Sequence, residues 1–110
     1  MKIREIYEIA VRKGMAVDPR GKEGVSKELT RRKRDYEDIK ESEKADFDQE
    51  RLRNPYSDTR ILCGNPETDV KGILTGIDME VGEVVLADRL REKGKRIDLI
   101  ISHHPEGKAL

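Results

Sequence analysis

The sequence predicts an α/β fold, because a strand, helix, strand pattern lies in its carboxyl-terminal half and helical patterns precede it. Residues 70–78, "VKGILTGID", are rich in Ile, Leu, Val and Thr, which is typical of a strand. Residues 81–95 favour an amphipathic helix, and residues 96–102, "RIDLIIS", form a second apolar run. Strands joined by such a crossover are parallel, so we expect a βαβ unit within a mixed or parallel sheet.

The first element is a predicted amphipathic helix over residues 1–14. Its apolar side chains recur at helical spacing and form one face. These side chains are Ile3, Ile6, Tyr7, Ala10 and Val11. Gly14 is the predicted helix stop, since glycine is common just beyond a helix end.

A charged segment follows over residues 16–54. After a loop-like start, residues 26–52 are predicted to form a solvent-facing helix or helical hairpin. The apolar stripe of this segment is sparse, and Arg32 and Glu43 interrupt it. The basic run 31–34 is followed at once by acids, so local charge cancels and nucleic-acid contact is not favoured.

Residues 56–110 carry the fold signal, and residues 59–64, "TRILCG", are predicted to add another strand. The helix over 81–95 ends with basic residues and Gly94, a common carboxyl-terminal signature. The segments 1–14, 16–54 and 56–110 together predict one partial α/β domain over residues 1–110.

Composition excludes some functional classes. Charged residues make up 42% of the chain and hydrophobic ones 35%, with zero formal net charge, so nothing indicates bulk attraction to nucleic acid or membranes. No apolar run approaches the roughly 18 residues of a membrane span. Cys63 is the single cysteine, which excludes an intrachain disulfide and fits a cytoplasmic setting. We expect Cys63 to be a small buried apolar residue.

The two histidines of the chain, His103 and His104, directly follow the second predicted strand, and Asp78 ends the first. Parallel strands end at the same sheet edge, where α/β proteins bind ligands. Neighbouring strands lie about 4.8 Å apart, so we expect Asp78 close to the histidine pair, in a metal or acid/base site. The alternatives are that the histidines are strand-end polar residues and that Asp78 is a helix N-cap or turn residue.

Pro105 constrains the geometry of the pair. A residue before proline favours extended backbone, which predicts that His104 is extended. Adjacent extended residues point their side chains apart, so the two imidazoles would serve two neighbouring ions or flank one cavity. Imidazole suits Zn, Fe, Ni and Cu, and spacing alone does not choose among them.

The stretch "VKGILTGIDMEVGEVVLADRLREKGKRIDLIISHHP" resembles the amino-terminal portion of the dinuclear-metal family of the NGG-one-interacting factor three type. The histidine pair and proline after an apolar strand are its most specific element. The stretch "YSDTRILCGNPETDV" is similar to the family segment before that strand. Tyr56, Ser57 and Asp58 depart from the family's usual Trp, Asp and Asn, and the segment 16–54 is longer than the usual link.

The resemblance implies a centre of two divalent transition metal ions (Zn, Fe or Mn), with His103 and His104 as ligands. It implies that Asp78 supports these ligands and is not one itself. The family's remaining ligands would follow Leu110, so the resemblance implies part of a larger two-lobed protein and assigns no catalytic residue. It further implies hydrolase-like or GTP cyclohydrolase-like action on a purine nucleotide, ring-shaped homo-oligomers and a protein partner.

Two other functions stay open. The Asp-His-His phosphoesterases end an apolar strand in a similar motif, but Ser102 stands where their metal-binding aspartate would be. The chain would otherwise be a metal-binding or protein-interaction module without turnover. In that case the charged helical segment would mediate assembly.

Overall fold

A computed structural model describes all residues, 1–110, and confirms the mixed α/β fold. The helices are α1 (Ile3–Val17), α2 (Gly21–Asp38), α3 (Glu41–Lys44) and α4 (Val81–Glu92), and the strands are β1 (Ile73–Gly76) and β2 (Leu99–Ser102). Short 3-10 helices cover Gln49–Leu52 and Gly107–Ala109. Two compact units divide the chain: residues 1–9 with 58–110, and residues 10–57.

The first unit contains the predicted βαβ arrangement. β1 pairs with β2 in parallel, in a register that runs from Ile73 opposite Leu99 to Gly76 opposite Ser102. The prediction of parallel strands joined by a helix is therefore confirmed, with α4 as the crossover. Both strands are shorter than predicted, with four residues each.

The predicted strand over residues 59–64 is wrong. This stretch forms no strand, and the segment that reaches the amino terminus is instead residues 66–70. The backbone N–H of Ile3 donates to the Thr68 carbonyl at 3.1 Å, and that of Val70 donates to the Met1 carbonyl at 2.8 Å. Ile3 and Val70 are both buried, so this pairing holds part of the core of the unit.

Gly72 and Asp98 set the register where the two strands begin. The Asp98 carboxylate accepts hydrogen bonds from the backbone N–H groups of Lys71 and Gly72, at 2.9 and 3.1 Å, and from Arg96 Nε at 2.9 Å. The backbone N–H of Asp98 donates to the Gly72 carbonyl at 2.8 Å. These donors, the Lys71 N–H first, lower the pKa of Asp98 to about 2. A side chain at residue 72 would overlap the main-chain carbonyl of Arg96, so the approach requires glycine.

Helix α4 begins at Val81 with a capping box. The backbone N–H of Glu80 donates to the Glu83 carboxylate at 2.9 Å. The predicted carboxyl-terminal signature is confirmed, because Gly94 has a φ of 84° and its N–H donates to the Arg91 carbonyl at 2.9 Å. Ala87 is the buried residue of this helix, whereas its valines stay exposed.

In the second unit, the prediction that Gly14 ends the first helix is wrong. α1 continues to Val17, and Gly14 lies inside it without a positive φ. A Cβ at residue 14 would lie 2.9 Å from the Tyr56 ring, so this glycine admits an aromatic side chain against the helix. The Tyr56 hydroxyl donates to the Asp18 carboxylate at 2.9 Å.

The charged segment is more interrupted than the sequence indicated. α2 covers Gly21–Asp38, earlier than predicted, and the chain is extended at Ile39 before the short α3. Arg32 was predicted to interrupt the apolar stripe of this segment, but it packs among the residues of the segment instead. Its side chain is only 16% exposed, and its guanidinium donates to the carbonyls of Asn54 and Pro55 at 3.2 Å, which holds this part of the chain against α2.

No helix in the structure combines the length and the apolar character that crossing a bilayer requires.

Candidate functional site

The carboxyl ends of β1 and β2 bring Asp78 and His104 into contact. Beyond the strands, the N–H of His103 donates to the Gly76 carbonyl at 2.9 Å, and that of His104 to the Ile77 carbonyl at 2.8 Å. Backbone hydrogen bonds between the two segments therefore continue beyond the end of β2 at Ser102. His104 Nδ1 lies 2.8 Å from Asp78 Oδ1. The predicted proximity of Asp78 to the histidine pair is confirmed.

The alternative interpretation of Asp78 as the N-cap of the following helix is wrong. Glu80 is the N-cap residue of α4, and Glu83 is its partner in the capping box. The Asp78 carboxylate is thus not used for helix capping, and His104 is its hydrogen-bond partner.

The two imidazole rings lie on the same side of the chain. Their centroids are 5.4 Å apart and their planes are inclined by 34°. The prediction that they point apart is wrong, because the backbone bends at His103 and His104 immediately after β2. Extended geometry, which separates neighbouring side chains, ends with the strand at Ser102.

Ser102 stabilises this bend. Its hydroxyl lies 3.1 Å from the Ile77 carbonyl oxygen and 2.8 Å from the His104 carbonyl oxygen. A serine hydroxyl has one hydrogen, which is shared between these two acceptors. The residue that replaces the metal-binding aspartate of the phosphoesterase motif is therefore engaged with the backbone. The sequence motif alone did not reveal this role.

The contact between Asp78 and His104 determines which ring nitrogen is available. A neutral imidazole has one N–H and one lone pair. When Nδ1 carries the hydrogen and donates to Asp78, the lone pair is on Nε2. Both side chains are open to solvent, with 55% of His104 and 62% of Asp78 exposed. The His103 ring contacts that of His104 and is also exposed.

The site is incomplete as a metal centre. No group of three or more His, Cys, Asp or Glu side chains in the structure has an arrangement that holds a metal ion. The histidine pair and Asp78 lie in contact with one another but do not form such a group. Cys63 is exposed, so the prediction that it is a buried apolar residue is wrong.

Comparison with known proteins identifies no relative. No family model matches the chain, and neither a curated protein nor a solved structure is significantly similar to it.

Proposed function

We propose that this chain is a metal-binding protein, with His103 and His104 as ligands from one sheet edge. The observation that carries the proposal is the 2.8 Å contact of Asp78 with His104 Nδ1, beside a second imidazole at 5.4 Å. Histidine ligands of metals commonly donate their other ring N–H to a carboxylate. Such a carboxylate fixes the tautomer and makes the free nitrogen a better donor.

The donor set fits a divalent transition metal. Two imidazoles suit Zn and Fe, whereas an oxygen-rich set would favour Mg or Ca. Two side chains leave the coordination sphere open. Water, further residues or a second chain would complete it. The resemblance to the dinuclear-metal family implies that the other ligands come from separate parts of the chain.

We extend the proposal to a hydrolase-like function, as the resemblance implies. A bound metal ion lowers the pKa of coordinated water and polarises a substrate carbonyl or phosphoryl group. In this chain His103 and His104 would hold the ion, and Asp78 would orient His104. Purine nucleotides are the first substrates to assay, because the resemblance to the dinuclear-metal family implies them.

The experiment is a calorimetric titration with Zn²⁺ of the metal-free chain and of the variant H103A/H104A. We expect binding by the wild type and loss of that binding in the variant. Nitrogen chemical shifts of both rings should move on addition of Zn²⁺, with Nε2 of His104 changing most. Equal binding by the two proteins would contradict the proposal.

Cys63 requires a control of its own. Its thiol is exposed, and cysteine sulfur can bind zinc independently of the histidines. The variant C63S should therefore keep the Zn²⁺ binding that H103A/H104A loses. If C63S loses binding and H103A/H104A keeps it, the thiol is the site and the histidines are not ligands.

A second candidate function is a binding module without turnover. It is favoured by the apolar side chains that α4 leaves exposed. These are Val81, Val84, Val85 and Leu86. A surface of this kind marks a protein contact. Zn²⁺-loaded protein that binds metal through the histidines but leaves purine nucleotides unchanged would favour this second function over hydrolysis.

A further inference from the structure

An open groove of about 370 Å³ lies along α2, within the second unit. Its apolar lining comes from α1, α2 and the 3-10 helix Gln49–Leu52, in the form of Met15, Val25, Leu29 and Leu52. Val25 is buried, and the other three are half-buried. All residues of the lining belong to residues 10–57, so the groove does not depend on the proposed metal site of the first unit.

Two lysines mark the limits of the groove along α2. Lys22 and Lys33 are exposed and lie eleven positions apart, which is about three helical turns or roughly 16 Å. Ser26 and Thr30 lie between them, and no acidic side chain lines the groove. Lys22 is also in the first turn of α2, where the helix dipole adds positive potential. The groove therefore has apolar area between two positive ends.

The acidic side chains of α2 do not neutralise this charge from within the groove. Glu28 pairs with Arg31 and Arg32, at 2.8 and 2.9 Å, and none of these three residues belongs to the lining. Glu37 follows Lys33 on the same helical stripe, but it lies beyond the groove. An incoming acidic group therefore meets no carboxylate among the residues that line the groove.

This combination favours an acidic amphipathic helix over a nucleic acid. Nucleic acids are held through phosphates by many basic side chains, and single strands stack their bases on aromatic rings. The groove offers two lysines and no aromatic side chain, and apolar side chains lie between the lysines. An amphipathic helix instead fills such a groove with apolar side chains spaced three and four positions apart.

We propose that this groove binds an acidic amphipathic helix of a partner protein, aligned with α2. The bound helix carries two acidic residues eleven positions apart, which meet Lys22 and Lys33. Its apolar residues lie four and seven positions after the first acid, on the same stripe, and cover Val25 and Leu29. Exposed ion pairs each change an affinity by only about 1.4-fold to fivefold, so the apolar contacts supply most of the affinity.

The test uses a fluorescein-labelled, alanine-rich helical peptide that carries this pattern with glutamates and leucines. Fluorescence anisotropy measures its binding to the full chain. We expect K22E and K33E each to weaken binding by roughly twofold to twenty-fivefold, since each replaces an attraction by a repulsion. The double variant K22E/K33E should bind a peptide in which both glutamates are replaced by lysines, and the wild type should bind that peptide poorly.

Two further probes test the nature of the occupant. A peptide that keeps the glutamates but has alanines for the leucines should bind at least roughly fivefold more weakly, because less apolar area is buried. Equal binding of the two peptides would show charge attraction alone and overturn the proposal. A labelled single-stranded oligonucleotide should bind more weakly than the acidic peptide. If the oligonucleotide binds more tightly, the site takes nucleic acid and the proposal is wrong.

A matched control separates the groove from net charge. K95E/K108E makes the same charge change as K22E/K33E at exposed positions outside the second unit, and it should leave peptide binding unchanged. Circular dichroism checks that each variant is folded. Failure of the wild type to bind the peptide up to about 1 mM overturns the proposal, as does an equal loss of binding in K95E/K108E and K22E/K33E.

Discussion

The two ends of the β1–β2 pair hold carboxylates in opposite situations. Where the strands begin, Asp98 accepts hydrogen bonds from two backbone N–H groups and one guanidinium, and only 18% of its side chain is exposed. Where the strands end, Asp78 contacts one histidine nitrogen and is 62% exposed. The same residue type thus receives three hydrogen bonds at one end and contacts a single partner at the other.

The difference between the two carboxylates shows which end of this small sheet can carry a functional site. The register is fixed at the beginning of the strands, by contacts that need a glycine and a carboxylate oxygen that accepts three hydrogen bonds. The geometry of the far end follows from that register and from the backbone hydrogen bonds that His103 and His104 donate beyond the strand. Its side chains can therefore change without loss of the strand pairing.

The largest expected effect comes from Gly72→Ala. The added methyl group would overlap the Arg96 carbonyl, so the two strands would have to separate. We expect a loss of about 2–4 kcal/mol in the free energy of unfolding, measured by urea denaturation.

Gly82→Ala is the matched control for that substitution. A Cβ at residue 82 meets no atom within 4 Å, and the residue lies in α4. This variant should be neutral or more stable by up to about 1 kcal/mol, because alanine is the better helix former. Equal losses in both variants would show that the Gly72 contact does not hold the strands together.

The next effect is that of Asp98→Asn on acid stability. The folded-state pKa of Asp98, about 2, lies below the ordinary aspartate value of 3.8, so its charged form stabilises the fold above pH 4. This stabilisation is lost as the pH falls from about 4 to about 2. We expect Asp98→Asn to lower the urea midpoint at pH 7 and to flatten its decline over this window.

Asp88→Asn supplies the comparison for the acid measurement. Asp88 is exposed on α4, and its substitution removes the same carboxylate charge without removing the hydrogen bonds of Asp98. If the urea midpoint of Asp98→Asn falls between pH 4 and pH 2 as steeply as that of the wild type, Asp98 does not contribute to acid stability.

The sequence predicted the arrangement of the sheet because periodicity and connection length are local signals. Apolar runs joined by a helical pattern specify parallel strands, and the positions of Asp78 and His104 after those runs predict their meeting. The contact of Gly72 with Arg96 could not be predicted in this way. It depends on the approach of two main chains, and the sequence shows only one glycine among nine.

The wrong predictions for Gly14 and Arg32 also result from contacts between residues that are distant in the sequence. Gly14 was expected to end α1, but Tyr56, 42 positions along the chain, packs against it and uses the missing side chain. Arg32 interrupts an apolar stripe in the sequence, yet its partners are carbonyls of residues 54 and 55. In both cases a distant contact decides the role of the residue, and no local pattern contains it.

A smaller effect is expected for Ser102→Ala. The substitution removes the hydroxyl shared by the carbonyls of Ile77 and His104. We expect a loss of about 0.5–1.5 kcal/mol in the free energy of unfolding. Ser42→Ala, at an exposed position in α3, should change it by less than about 0.5 kcal/mol. An unchanged stability for Ser102→Ala would mean that the bend forms without this hydroxyl.

The smallest effect on stability is expected for Asp78→Asn, and this variant distinguishes the two strand ends most directly. Asp78 is exposed and has one partner, so its substitution should change the free energy of unfolding by less than about 0.5 kcal/mol. If Asp78 orients His104 for a metal, the same change should weaken Zn²⁺ binding by roughly 10-fold to 100-fold, since an amide supports the ligating imidazole less well. Calorimetry of the folded variant measures this loss. A variant that is destabilised but binds Zn²⁺ like the wild type would place Asp78 with Asp98, as a structural carboxylate of the strand pair.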